Sequence, residues 1–401
     1  MPDQGVAPTA ASDLKWLLRW YFGFRYRLLR DRPFTPPTLN LLVTLRCDMR
    51  CRHCFLWERL EEPAEARELS LSEVETMART MDPLFSLVLS GGEPFLRNDL
   101  AEIARLFHEH TRAKVVTILT GGQMTRRVHE VTREILRRCP EVLLAVGVSL
   151  DGVGPRHDEI RQKAGAFDRA VRTVRMLKEL STSEPRVSVQ ACVCLTGLNQ
   201  DHILDLYAYL RDDLRPDRIA VNLVRQDSPD PAALGVNPAV YERLVRLIRE
   251  DTCSGRLRNR FAFDRFAFMT VADLFMMRLI AETVRGGRAR IRCRAGSASS
   301  VVFPDGSVYP CEMKPDWGNL RTSGFDFARF WAAARARAGA TGSLPGKTCS
   351  CTHEIDCFLP SIPFDVRLYP GLAWLWFRVF RGQRRVRDRP ERSSVAEKTG
   401  G

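Results

Sequence analysis

Short apolar runs, many of them β-branched, punctuate the first half of the chain. They fall at residues 39–44, 86–90, 115–120, 142–149, 187–195 and 218–224, and their composition predicts strands. Between them apolar residues recur at helical spacing, over about 100–108, 125–138, 166–180 and 201–211. A further helix is predicted just after Ser70, because Ser70 and Glu73 stand three apart as in a capping box. Strand and helix in strict alternation argue for a parallel sheet, open or curled into a barrel, whose ligands sit beyond the C-terminal strand ends.

The pattern changes after residue 225. Residues 226–290 read as mainly helical and include a basic stretch at 256–265. Residues 291–360 are rich in Cys, Gly and Pro; Asp305-Gly306 marks a hairpin turn between strands at 301–303 and 307–309. Two flanks remain. Residues 1–36 interleave Trp16, Trp20, Tyr21 and Phe24 with Arg19, Arg25 and Arg27, and end in a proline-bearing break. Residues 361–401 hold an aromatic patch at 372–380 and a basic, polar tail from Gly382 that is expected to be disordered. The chain therefore divides at 1–36, 37–225, 226–290, 291–360 and 361–401.

Charge and cysteine content sharpen this picture. Lys and Arg outnumber Asp and Glu by 61 to 48 over 401 residues, a formal charge of +13 that favours anionic partners. No RNA-binding module accompanies the charge, so nucleic acid is not an expected partner. No long uncharged apolar run suggests a spanning helix, and the N-terminus lacks the pattern of a secretory signal. A cytoplasmic setting is expected, where twelve cysteines mean metal or cluster ligation rather than disulfides.

Cys47, Cys51 and Cys54 follow the first strand with the spacing C-x3-C-x2-C. Three thiolates on a short loop can hold three irons of a cubane and leave the fourth open to a reactant. The competing reading is a structural zinc site completed by His53 or a distant Cys. Gly91-Gly92-Glu93-Pro94 ends the second strand, where two glycines allow close backbone approach to a ligand and Glu93 offers a fixed acceptor.

Cys47-x3-Cys51-x2-Cys54 followed by Phe55, with Gly91-Gly92-Glu93-Pro94 one unit later, resembles the radical S-adenosylmethionine (radical SAM) superfamily. The resemblance covers about residues 38–225 and implies a partial (β/α)6 barrel. It implies a 4Fe–4S cluster on the three cysteines, with SAM chelating the open iron. Gly91, Gly92, Glu93 and Pro94 would receive the SAM amino group, and Phe55 would lie beside adenine. Ser149 and Asp151, in Ser149-Leu150-Asp151-Gly152, match a motif that contacts the ribose and methionyl part. Thr120-Gly121-Gly122 departs from the Thr-Asn-Gly common at that place, so no side-chain role is carried over there. The implied chemistry is reductive SAM cleavage to a 5′-deoxyadenosyl radical, fed by a reductant such as flavodoxin or ferredoxin. No residue of this chain is singled out as an acid, base or nucleophile.

Cys293, Cys311, Cys349, Cys351 and Cys357 form a second group. Cys293, then Gly306-x4-Cys311 and Gly318-Asn319, resemble the SPASM or shortened twitch extension of the same superfamily. The full pattern needs more cysteines than these five, so one auxiliary 4Fe–4S cluster is expected, with one of Cys349, Cys351 and Cys357 spare. Zinc is the alternative here too. Cys192 and Cys194 share one side of the fifth strand, where core packing is favoured over a role in hydrogen-atom donation. Cys139 and Cys253 look incidental, and His53 and His353 are read as groups beside the clusters rather than ligands.

The extension favours oxidative modification of a peptide, although residues 1–36 are too short for a separate leader-binding domain. A lipid-linked or small-molecule substrate at the inner face of the membrane is the second reading, because both flanks mix aromatics with Arg. A non-catalytic zinc or Fe–S protein is the alternative of another class.

Overall fold

Eight strands form one sheet in the order β6-β5-β4-β3-β2-β1-β7-β8. The computed structural model describes residues 34–60, 68–257, 267–287, 291–340, 351–352 and 359–387. The N-terminal segment to residue 33 lies outside them, as do most of the basic stretch, Cys349, Cys357 and His353.

The elements run β1 (Thr38–Thr44), α1 (Leu71–Arg79), β2 (Ser86–Gly91), α2 (Leu100–Thr111), β3 (Val115–Thr120), α3 (Thr125–Arg138) and β4 (Leu143–Ser149). Next come α4 (Pro155–Arg161), α5 (Ala166–Ser183), β5 (Val187–Leu195), α6 (Ile203–Tyr209) and β6 (Arg218–Leu223). Then follow α7 (Pro238–Ser254), α8 (Ala267–Gly286), β7 (Ser299–Val302), β8 (Val308–Tyr309), α9 (Phe327–Ala340) and α10 (Tyr369–Arg387). All neighbouring strands from β6 to β7 are parallel, and β7 pairs antiparallel with β8. The sheet stays open, a partial barrel with helices on its outer side.

Period-2 alternation sorts the side chains. Leu39, Leu41 and Val43 of β1 join Leu87 and Leu89 of β2 in the core that Met77 and Phe107 close from the helix side. Asn40 and Leu42, with Val88, Leu119 and Cys192 from other strands, point to the concave face and line a cavity. Burial on both faces is why these strands read as nearly continuous apolar runs.

Local signals explain several boundaries. Ser70 Oγ accepts from Glu73 N at 3.4 Å and Glu73 Oε2 accepts from Ser70 N at 2.8 Å, so the capping box forms and starts α1. Asp305-Gly306 makes its turn, with Gly306 at φ 90°. Asn319 Nδ2 donates to Asp305 O at 3.0 Å, and Asn319 Oδ1 accepts from Arg321 N at 3.0 Å. The Gly318-Asn319 pair therefore clamps the hairpin turn.

The hairpin joins the barrel sheet: β7 pairs along β1, Leu39 beside Ser300 and Leu41 beside Val302. One expectation changes. The tail from Gly382 is helical through Arg387, because α10 packs on α7 and α8.

Candidate active site

The three-cysteine loop leaves the C-terminal end of β1 and forms one wall of a cavity of about 790 Å³. Cys47, Cys51, Cys54 and Phe55 line it, with Gly91 and Gly92 from β2 and Ser149 from β4. Burial pushes the Cys47 thiol up to about 12 and the Cys54 thiol up to about 11, with Cys51 adding to both. Neutral thiols are what such a loop holds until a cation supplies the charge that ionises them. Among the described residues no three His, Cys, Asp or Glu side chains are grouped to hold one metal ion. The thiols thus share a cavity wall without making a single-ion site. A cubane gives each thiolate its own iron, so a donor set of three thiols on one loop fits a cluster.

The glycines of the second motif act differently from the sequence expectation. A Cβ on Gly91 would lie 2.2 Å from Thr44 O, and one on Gly92 would lie 2.2 Å from Arg46 O. Gly92 N donates to Thr44 O and Glu93 N to Arg46 O, both at 2.8 Å. The close approach is therefore to the backbone that carries Cys47. With these N–H groups already used, the segment offers a ligand carbonyl oxygens, which suits a donor such as an ammonium.

Glu93 is a fixed acceptor, but for the protein itself. Its carboxylate accepts from Thr120 Oγ1 at 2.8 Å, Gly121 N at 2.8 Å and Phe95 N at 3.2 Å, tying β2 to β3. Burial pushes its pKa up to about 7 against these hydrogen bonds. Pro94 opens the 3-10 turn Pro94–Leu96 that follows. Gly121 explains the departure from Thr-Asn-Gly: a Cβ there would lie 1.9 Å from Met49 Cε. The small residue makes room for a side chain of the cysteine loop.

Asp151 lies behind the cavity wall rather than on it. Its carboxylate is fully buried, 2.5 Å from Arg161 Nη2, and accepts from Cys194 N at 2.8 Å. Burial works to raise its pKa, but Arg161 and two histidines hold it below the usual value. Arg161 does face the cavity, and its Nη1 donates to Cys51 Sγ at 3.5 Å. His53 Nε2 stands 3.8 Å from Asp151 Oδ2, and burial lowers the pKa of His53 to about 4. His53 is thus a buried neutral group that also lines the cavity. The sequence offered no mark that set Arg161 apart from the many arginines on helix surfaces.

Two polar groupings interrupt the apolar wall. Ser90 Oγ donates to Asn40 Oδ1 at 2.8 Å, and Asn40 Nδ2 donates to Glu312 Oε1 at 2.7 Å, which brings the residue after Cys311 to the cavity. Arg218 of β6 lies 2.6 Å from Asp273 Oδ1 of α8 and donates to Gln190 Oε1 at 3.3 Å. Burial pushes the Asp273 carboxyl up to about 6 against the pull of Arg218. Cys192 and Cys194 also line the cavity, so the core-packing expectation for them is corrected.

Residues 41–210 match the sequence profile of the radical SAM superfamily. Over that stretch, somewhat under half of its length, the chain is similar to the radical SAM superfamily. Among curated relatives, Fe-coproporphyrin III synthase of Methanosarcina barkeri is 33% identical over 148 residues, 36% of this chain and 34% of that protein. The antilisterial bacteriocin subtilosin biosynthesis protein AlbA of Bacillus subtilis is 29% identical over 279 residues, 68% of this chain and 54% of AlbA. The chain spans about a third to a half of the length of these relatives. Among solved structures, Streptococcus suis SuiB bound to its precursor peptide SuiA superposes with a TM-score of 0.52 at 17% identity, over 82% of this chain and 72% of SuiB. At that identity the likeness is one of fold.

In the C-terminal region, Cys293 and Cys311 are both buried, on neighbouring segments joined by Gly296 N donating to Pro310 O at 3.1 Å. Cys351 is half-buried against the same core. The structure brings these segments together as the hairpin reading expects; Cys349 and Cys357 lie outside the described residues.

Proposed function

We propose that this radical SAM chain cleaves S-adenosylmethionine reductively at a 4Fe–4S cluster on Cys47, Cys51 and Cys54 and takes hydrogen from a substrate in the adjoining cavity. The carrying observation is that the cysteine loop, Phe55, the Gly91-Gly92 segment and Ser149 line one cavity beyond the strand ends. When bound and reduced, the cluster supplies the electron that splits SAM into methionine and a 5′-deoxyadenosyl radical. The carbonyls of Gly91 and Gly92 take the SAM amino group, Phe55 flanks the adenine, and Ser149 meets the ribose side. Glu93 and Pro94 act indirectly, by fixing the turn beneath. Asp151 acts through Arg161, which it orients toward Cys51. Apolar residues such as Leu42, Leu119 and Met277 keep water from the radical.

Cys293 and Cys311, with two of Cys349, Cys351 and Cys357, would hold one auxiliary cluster, which would supply an acceptor for one electron. A peptide is the favoured substrate, supported by the likeness to AlbA and to peptide-bound SuiB. A flavodoxin or ferredoxin serves as reductant, and the cytoplasm is the setting. A second reading, a lipid-linked or small apolar substrate, draws on the exposed aromatics Tyr369 and Trp376 at the cavity rim.

Anaerobic reconstitution tests this. About eight irons per chain and dithionite-dependent 5′-deoxyadenosine are expected, with about four irons and no cleavage after Cys51→Ala. Zinc in place of iron, or cleavage that survives Cys51→Ala, sinks the proposal and favours a metal-binding module.

A further inference from the structure

The last helix, α10, has two faces of opposite character. On one, Leu375, Val379 and Gln383 are buried. Gln383 Nε2 donates to Thr252 O and Leu257 O, both at 2.9 Å. A Cβ on Gly382 would lie 1.8 Å from Cys253 O, so the helix backbone rests on the end of α7. A Cβ on Gly371 would lie 2.9 Å from Phe275 of α8. These contacts fasten α10 to the body of the protein.

The other face is turned to solvent and is strongly apolar. Trp374 is 56% exposed, Phe377 51% and Trp376 45%. Large aromatics that stay exposed on an anchored helix mark an interaction surface. Arginine stands among them: Arg378 lies 4.8 Å from the Trp374 ring centre and Arg381 5.4 Å from that of Phe377. Between Tyr369 and Arg387 there are five arginines and no acidic residue. Trp376, Tyr369 and Leu372 also line the cavity, so this face borders it.

We infer that this face of α10 seats on an anionic lipid bilayer, with the cavity it borders held at the level of the headgroups. Indole and phenyl rings on a helix rich in arginine match an interface that is apolar below and negatively charged above. The arginines lie over the rings, so both reach one layer together. No described helix is long and apolar enough to cross a membrane, so the contact is peripheral. This inference stands apart from the SAM chemistry, and its test reads no turnover.

The experiment is co-sedimentation of the full chain with vesicles of phosphatidylcholine alone or with about one third phosphatidylglycerol. Binding to the mixed vesicles is expected, weak on the neutral ones and falling with salt. Removing two charges in Arg378→Gln/Arg381→Gln is expected to weaken it roughly thirtyfold. Trp374→Ala/Phe377→Ala is expected to weaken it about tenfold or more, with the circular dichroism spectrum unchanged. The inference is overturned if the native chain leaves both vesicle types unbound, or if neither double variant changes binding. Capture of an acidic aromatic peptide through Trp374 and Phe377, without vesicle binding, assigns the face to a polypeptide and equally overturns it.

Discussion

Asp273 is a buried carboxyl whose burial outweighs its partner, and this has a measurable signature. Its pKa moves from 3.8 to about 6, although Arg218 lies 2.6 Å away. Among the described residues neither carboxylate oxygen has a well-directed hydrogen bond, which is why the pairing does not rescue the charge. A carboxyl raised in the folded state binds its proton more tightly there than in the unfolded chain. Its contribution to stability is complete below the unfolded value, near pH 4, and is lost as pH rises through about 6. A shift of about two units is worth about 3 kcal/mol. Asp273→Asn removes that loss and leaves a pH-independent offset from the altered contact with Arg218. The stability difference, variant minus native, should therefore climb by about 3 kcal/mol between about pH 4 and pH 7 and then level off. Urea denaturation midpoints across that range, multiplied by a common m-value, give the curve. Arg218→Met should act in the opposite direction, raising the carboxyl further and extending the native chain's loss of stability above pH 7. A difference curve for Asp273→Asn that is flat, or that falls with pH, refutes the burial argument.

Two further outcomes follow from the site. Gly92→Ala sets a methyl 2.2 Å from Arg46 O, a main-chain atom that cannot rotate away. It should cost about 3 kcal/mol and lower the iron bound at the first site, whereas Gly286→Ala, with nothing near its Cβ, should leave iron content unchanged. Arg161→Met withdraws a buried positive charge beside Cys51, so the midpoint potential of the first cluster should move to more negative values in an EPR-monitored redox titration. An unchanged or more positive potential contradicts the role given to Arg161.

Much of the fold was legible because the strands obey a simple rule. Runs such as Val115–Thr120 and Val187–Leu195 are buried on both faces, so apolar content alone bounded them. The capping box of α1 and the Asp305-Gly306 turn are local chemistry, written in adjacent residues. The sites were legible as motifs but not as geometry. Gly91 and Gly92 could be seen to invite close approach, yet only the folded chain says that the approaching partner is Thr44 and Arg46. Asp151 looked like a ligand-binding residue by place, and folding turned it away from the cavity toward Arg161. Arg161 meets Cys51, and Arg218 meets Asp273, across large separations in sequence, so no local pattern foretold these contacts. The helical tail was missed because the basic, polar composition that begins at Gly382 reads as disorder. Gly382 is tolerated in the helix because the backbone of α7 leaves no room for a side chain.

The placement of β7 against β1 carries a practical warning. β1 is an interior strand only because residues Ser299–Val302 pair along its free side. A shortened protein ending after α8 would turn that strand into an unprotected rim bearing Leu39, Leu41 and Leu42, an open template for pairing between copies. The cysteine-rich extension therefore also works as a seal against aggregation, and insolubility of such a truncation would say nothing about the chemistry of the clusters.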